Sequence, residues 1–302
     1  MLRFILLLSL CLLTFRTPSV FAELKIIASI KPLQLLTQSI MQDTGEPLLL
    51  IDGGVSPHSY RLTPSDAMLL EQSDLIIWVG PAMESKLARP LNTLTDRKRL
   101  LNLSEQKEIR ELPARSGGVW AEADKHDHEH HSRYMDPHIW LDPNNAIEIA
   151  KLICLRLQEI DTKNAQRYAS NTERLIADIA NLDKTLSQKM QDVKQVPYLV
   201  FHDAFQYFEH RYSLNPAGAL TIDPERNPGA KRMLELRNSI KQKNIRCVFH
   251  EPQYGKQLAI VLLEGTNARL VTLDPLGLGK NNVRSYTQLM SELGDAMHAC
   301  LL

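Results

Sequence analysis

From Ala165 to Val193 the chain carries neither glycine nor proline, and Leu175, Ile176, Ile179, Leu182, Leu186 and Met190 fall at helical spacing. A single helix over this run would extend on the order of 40 Å at 1.5 Å per residue. That is long for a helix inside an ordinary globular unit, so the rest of the chain must be built along one stiff rod. Strands and helices alternate on both sides of it. Before the rod, Lys25–Ile30, Pro47–Ile51 and Asp74–Gly80 read as strands, separated by helical patterns over Pro32–Met41 and Thr63–Gln72. After it, Tyr198–Phe201, Cys247–His250 and Leu270–Leu273 read as strands, with helices over Arg232–Lys241, Leu258–Glu264 and Ser285–Ala299. Such alternation implies parallel sheets. The expected fold class is therefore α/β: two small parallel-sheet α/β lobes joined by one long rigid backbone helix. The boundaries this suggests are a first lobe over 23–163, the connecting helix over 164–193 and a second lobe over 194–302.

Residues 1–22 read as a separate object. Met1-Leu2-Arg3 is a short basic start, Phe4 to Leu13 is almost wholly apolar, and Val20-Phe21-Ala22 has small residues where a signal peptidase cuts. This pattern is a secretory signal peptide cleaved after Ala22, because the apolar run is too short to span a bilayer. Cys11 follows Leu10, so the setting does not fit lipid attachment. No later stretch is long and apolar enough to be a membrane span. Export leaves Cys154, Cys247 and Cys300 in an oxidising compartment, where three pairings are possible. Cys154 reads as a core thiol on the buried face of a helix. The 35 basic and 35 acidic residues balance. That balance argues against a nucleic-acid surface, which needs a basic excess.

Three histidines stand in fixed local settings. His58 lies in Ser56-Pro57-His58-Ser59-Tyr60, just after a strand and the Asp52-Gly53-Gly54 turn signal. His138 lies in Asp136-Pro137-His138-Ile139-Trp140-Leu141-Asp142-Pro143, where two Asp-Pro pairs bracket an apolar core. His202 ends the strand Tyr198–Phe201. Asp274, before Pro275, likewise follows a strand. In parallel α/β units ligands gather at the carboxyl ends of strands. If the two lobes face each other, three imidazoles and one carboxylate converge on a metal ion in the inter-lobe cleft. Such a donor set suits Zn²⁺ better than Mn²⁺ or Mg²⁺, which prefer more oxygen. A tract over about 116–133 loses periodicity and carries His126, His128, His130 and His131 among acidic residues. It reads as a surface loop able to hold borderline metals weakly. His210, His250 and His298 read as structural or exposed.

Taken together and in order, these stretches resemble the periplasmic substrate-binding components of zinc ABC transporters, the high-affinity zinc uptake family. The resemblance also rests on Thr63-Pro64-Ser65-Asp66, Phe201-His202-Asp203-Ala204-Phe205, Asn227-Pro228-Gly229-Ala230, Glu251-Pro252-Gln253 and Leu273-Asp274-Pro275-Leu276-Gly277, and covers nearly the whole mature chain. It implies that His58, His138 and His202 are ligands, that Asp274 takes the fourth position, shares it with water or is replaced there by water, and that Cys247 pairs with Cys300. It implies capture of Zn²⁺ as cargo in the periplasm and delivery to the membrane permease of an ABC transporter, by a monomer with no enzymatic activity. Manganese-type relatives carry a carboxylate where His202 stands, so zinc is favoured over Mn²⁺ or a broader divalent range. The rigid helix limits hinge opening, so loops rather than whole lobes are expected to move on loading. A zinc hydrolase is the rival class, with Glu251 as a candidate base, but no His-Glu-x-x-His helix is present. A surface adhesin on the same fold is a further reading, against which the missing lipid-attachment signal counts.

Overall fold

The computed structural model describes residues 24–93, 96–115, 135–221, 224–225, 228–279 and 283–302. The expected signal peptide, residues 1–22, and the histidine tract both lie outside them. In the first half, β1 (Ile26–Ala28), β2 (Leu48–Leu49), β3 (Leu75–Trp78) and β4 (Leu100–Asn102) form a parallel sheet of order β2-β1-β3-β4. In the second, β5 (Tyr198–His202), β6 (Pro216–Thr221), β7 (Cys247–His250) and β8 (Arg269–Thr272) form another, of order β6-β5-β7-β8. The two lobes thus repeat one strand order. In each, the chain leaves the first and third strands in opposite directions, which opens a crevice at their carboxyl ends.

Helices α1 (Lys31–Ile40), α2 (Pro64–Glu71), α3 (Ala88–Asn92) and α4 (Pro143–Ile160) belong to the first half; α6 (Gln206–Tyr212), α7 (Ala230–Gln242), α8 (Gln257–Leu263) and α9 (Tyr286–Leu301) belong to the second. Between them runs α5 (Ala165–Met190), the glycine- and proline-free segment. It buries Tyr168, Asn171, Thr172, Leu175, Ile179, Leu186 and Met190, one face at i+3 and i+4 steps. At one end it holds the first lobe, where Asn171 Nδ2 donates to the carbonyls of Ile40 (2.9 Å) and Gln42 (3.1 Å). At the other it meets α9, with Lys189 paired to Asp295. The approach there is close: a Cβ on Gly294 would collide with the Leu186 side chain.

A single hydrophobic core runs through both lobes. Ile27, Leu36, Ile153 and Ile179 are continuous in it with Phe249, Leu273, Met290 and Met297. A second core fills the other face of the second sheet, under α7 and α8, with Leu199, Phe201, Val248, Leu236 and Leu262. β5 is buried on both faces, so its alternate residues divide between the two cores. Cys247 of β7 is joined to Cys300 of α9, and Cys154 is buried and free. No described helix is long and apolar enough to cross a membrane.

The sequence predicts three strands in each half, and the structure has four. β4 is only three residues long and follows the basic turn Arg97–Arg99. β6 begins with Pro216 and contains Gly218, residues that weaken a strand and are tolerated here because β6 is an edge.

Candidate metal centre

Two loops and one strand end from distant parts of the chain deliver one imidazole each. His58 sits between β2 and α2. The loop ahead of it turns through Gly53 and Gly54, at φ +73° and +75°, a conformation that favours glycine. Its far end is fixed by a capping box, with Thr63 and Asp66 bonding each other's backbone, and by Tyr60 O–H donating to Asp66 at 2.6 Å. His138 stands where the chain enters a short 3₁₀ turn, Ile139–Leu141, just before α4. Trp140 of that turn reaches the second half: its Nε1 donates to the Pro275 carbonyl (2.9 Å), and Tyr286 O–H donates to the Trp140 carbonyl (2.7 Å). His202 is the last residue of β5, at the crevice of the second sheet.

His202 meets both other rings edge to face, and His58 and His138 are tilted at 59° to each other. Their centroids are 5.5 Å apart for His58 and His138, 5.4 Å for His58 and His202, and 4.9 Å for His138 and His202. One nitrogen from each lies within 4.8 Å of the others. Two nitrogens bound tetrahedrally to one zinc at ~2.0–2.1 Å would stand about 3.3 Å apart, so a slight contraction brings all three onto an ion. The space they share with Met83, Trp140, Tyr254 and Leu276 is about 10 Å³. That is room for one ion or one water molecule.

Two of the rings are aimed by buried carboxylates. His138 Nδ1 lies 2.7 Å from Asp136 Oδ1, which also accepts from the His138 backbone N–H. His202 Nδ1 lies 2.8 Å from Glu251 Oε1, and Gln253 Nε2 donates to the other oxygen of Glu251 at 2.9 Å. In each case Nδ1 is engaged by the carboxylate, so Nε2 is the nitrogen free to bind a metal. Burial, then the charges of His202 and His138, hold His58 well below the usual imidazole range. Burial, then the His202 charge, does the same to His138. Both rings therefore stay in the neutral, donor form. Burial also pulls His202 down, but the charge and hydrogen bond of Glu251 outweigh it, and the ring ends above its ordinary value. Burial pushes Asp136 up to about 7.

The structure does not bring Asp274 into this group. Its Oδ1 accepts from the N–H groups of Leu276 (3.1 Å) and Gly277 (2.8 Å), and its Oδ2 from Gly279 (2.6 Å). It shapes the turn that puts Pro275 and Leu276 against the rings, while its carboxylate lines a neighbouring cavity with Thr272 and Glu292. His250 stands apart from the three rings, with its Nε2 2.9 Å from Thr272 Oγ1. His126, His128, His130 and His131 lie outside the described residues. The described residues flanking their tract reach the centre, since Pro113 pairs with Met135 and Arg115 forms ion pairs with Asp203, next to His202, and with Glu209. The sequence reading gave Asp136 no role of its own and read Glu251 only as a candidate base. The first stands two residues before His138 and the second at the end of the strand beside β5, which were the available signals.

Residues 26–300 match the family described as the periplasmic zinc-uptake complex component A, ZnuA. The chain is 34% identical over 307 residues to a protein of Brucella abortus named high-affinity zinc uptake system protein ZnuA, covering 91% of each. It is also 34% identical over 303 residues to the protein of that name in Yersinia pestis, covering 96% of this chain and 95% of the relative. Among solved structures, the laminin-binding protein Lmb of Streptococcus agalactiae shares the fold, with a TM-score of 0.77 at 20% identity over 92% of this chain and 99% of the other.

Proposed function

The chain belongs to the periplasmic zinc-uptake component A family, and on that premise we propose that it captures Zn²⁺ in the periplasm and hands it to the permease of an ABC transporter. The ligands in this reading are His58, His138 and His202. Asp274 would have to give up three amide bonds to join them, so we assign the fourth position to water. One observation carries the proposal: three imidazoles from two loops and a strand end far apart in sequence converge on a space of about 10 Å³, the size of one ion. That space, and the engagement of Glu251 with His202 and Gln253, support capture over hydrolysis. Three nitrogen donors favour zinc over manganese. The signal peptide, cleavage after Ala22, the division at 23–163, 164–193 and 194–302, and a monomer that does not bind nucleic acid complete the reading.

Calorimetric titration of the chelator-stripped mature protein tests it. We expect one tight zinc per chain, with Mn²⁺ much weaker. Only loose uptake of several ions would move the binding to the histidine tract and overturn the three-ring site. Glu251→Gln should weaken zinc about tenfold, the lower end of the usual cost of losing a carboxylate behind a metal-bound imidazole. Competition with a chelator of known affinity measures it, and an unchanged constant would remove Glu251 from the site.

The core shared by both lobes supports loop movement on loading rather than lobe closure. Solution scattering should therefore give nearly the same radius of gyration with and without zinc; a large fall on loading would contradict this.

A further inference from the structure

The three rings are not held alike. His138 and His202 are buried and backed by carboxylates. His58 is only partly buried, and among the described residues no carboxylate pairs with its ring. It is also the ring that borders the outside. Besides the metal-sized space, His58 and Met83 line a recess of about 440 Å³ with Ser59, Arg61, Lys86 and Glu225, open between the two halves. An ion leaving the centre by this route passes His58.

What fixes His58 is its turn. The Ser56 carbonyl accepts from Ser59 N–H at 3.3 Å, closing a turn around Pro57 and His58. The Ser56 hydroxyl, itself buried, lies 3.1 Å from the Tyr254 hydroxyl. Tyr254 in turn is placed by the second lobe. Its ring stacks on Phe201 with centroids 5.5 Å apart and planes at 20°, and meets His202 edge-on at 5.8 Å. One hydrogen bond between residues 198 apart in sequence therefore clamps the turn carrying His58 to the strand carrying His202.

We propose that the Tyr254–Ser56 hydrogen bond is a latch that sets how long zinc stays bound, with Tyr254 a positioning residue that acts through His58. This rests on the zinc-capture reading. A single neutral hydrogen bond suits the task, being strong enough to bias the turn and weak enough for a docked partner to break. Losing it frees His58 to swing away from the ion, and the ion then departs through the recess. His138 and His202 keep their own supports.

The test is the rate of zinc transfer from loaded protein to an excess of chelator, read by stopped flow. Tyr254→Phe keeps the stack on Phe201 and removes only the hydroxyl; Ser56→Ala removes the partner. Each should speed release about five- to tenfold, with one zinc per chain retained. The double variant should be no faster than either single one, because both delete the same bond. In a His58→Ala background, Tyr254→Phe should change nothing further, which separates positioning of that ring from a general loosening of the fold. Unchanged release in both single variants would overturn the latch while leaving the site standing. So would effects that multiply in the double variant, or a full Tyr254→Phe effect without His58. If the wild-type chain takes up no tight zinc, the site itself fails and the latch with it.

Discussion

Zinc affinity should fall by about two orders of magnitude or more when His202 is replaced by alanine. A four-ligand zinc site in a small domain is worth roughly 10–16 kcal/mol. One ligand in four then represents about 3 kcal/mol, or somewhat over a hundredfold. His202 should cost at least that much, because it is the most constrained of the three rings: it ends a strand buried on both faces, and Glu251 engages its Nδ1. Removing the ring also leaves the Glu251 carboxylate buried with only Gln253 on it, so the metal-free variant should melt somewhat lower than wild type. The two effects separate in one experiment. Zinc should raise the melting temperature of the wild-type protein markedly, because a ligand that binds only the folded state stabilises it by mass action. It should barely move that of the variant. If the variant keeps the wild-type constant, the three-ring centre is wrong, and the histidines at 126–131 become the binding site.

Loss of the disulfide should act on the fold instead. Cys247 and Cys300 are 53 residues apart, and closing a loop of that size stabilises the folded chain by about 4 kcal/mol in the chain-entropy account. For a chain of this length that corresponds to a drop of roughly 7 °C in melting temperature for Cys247→Ala with Cys300→Ala. The bridge ties a central strand of the second sheet to the last helix. None of the three histidines lies between the two cysteines in sequence, so zinc affinity measured well below the melting point should change far less than stability. Differential scanning calorimetry beside a zinc titration tests both halves of the expectation. An unchanged melting temperature would mean that the shared core and Arg269, which donates to the Cys300 carbonyl, hold the end of α9 without the bridge.

What the sequence exposed and what it concealed follow from the range of the interactions involved. α5 was legible because absence of glycine and proline together with helical spacing is a local property. His58, His138 and His202 were legible because each is marked by its neighbours: a turn, a proline pair, a strand end. Asp274 carried the same kind of mark, but Asp-Pro-Leu-Gly serves turn formation equally well, and here the carboxylate is spent on backbone amides. β6 escaped notice because Pro216 and Gly218 disguise an edge strand whose pairing is decided by β5. The contact between Ser56 and Tyr254 had no signature at all, since nothing near either residue announces a partner so far along the chain. Long-range polar pairs of this kind become visible only when topology is known.

The core common to both lobes has a consequence for how a transporter could tell a loaded carrier from an empty one. With Ile179 of the connecting helix packed into the same interior as Phe249 and Met290, the loop movement proposed above puts the message in the short loops around three imidazoles and not in a change of gross shape. Preferring the loaded carrier a hundredfold requires a difference of about 2.7 kcal/mol in docking free energy. Two or three hydrogen bonds made by a loop that is ordered in one state and loose in the other supply that much. The sorting step then becomes a comparison of loop order.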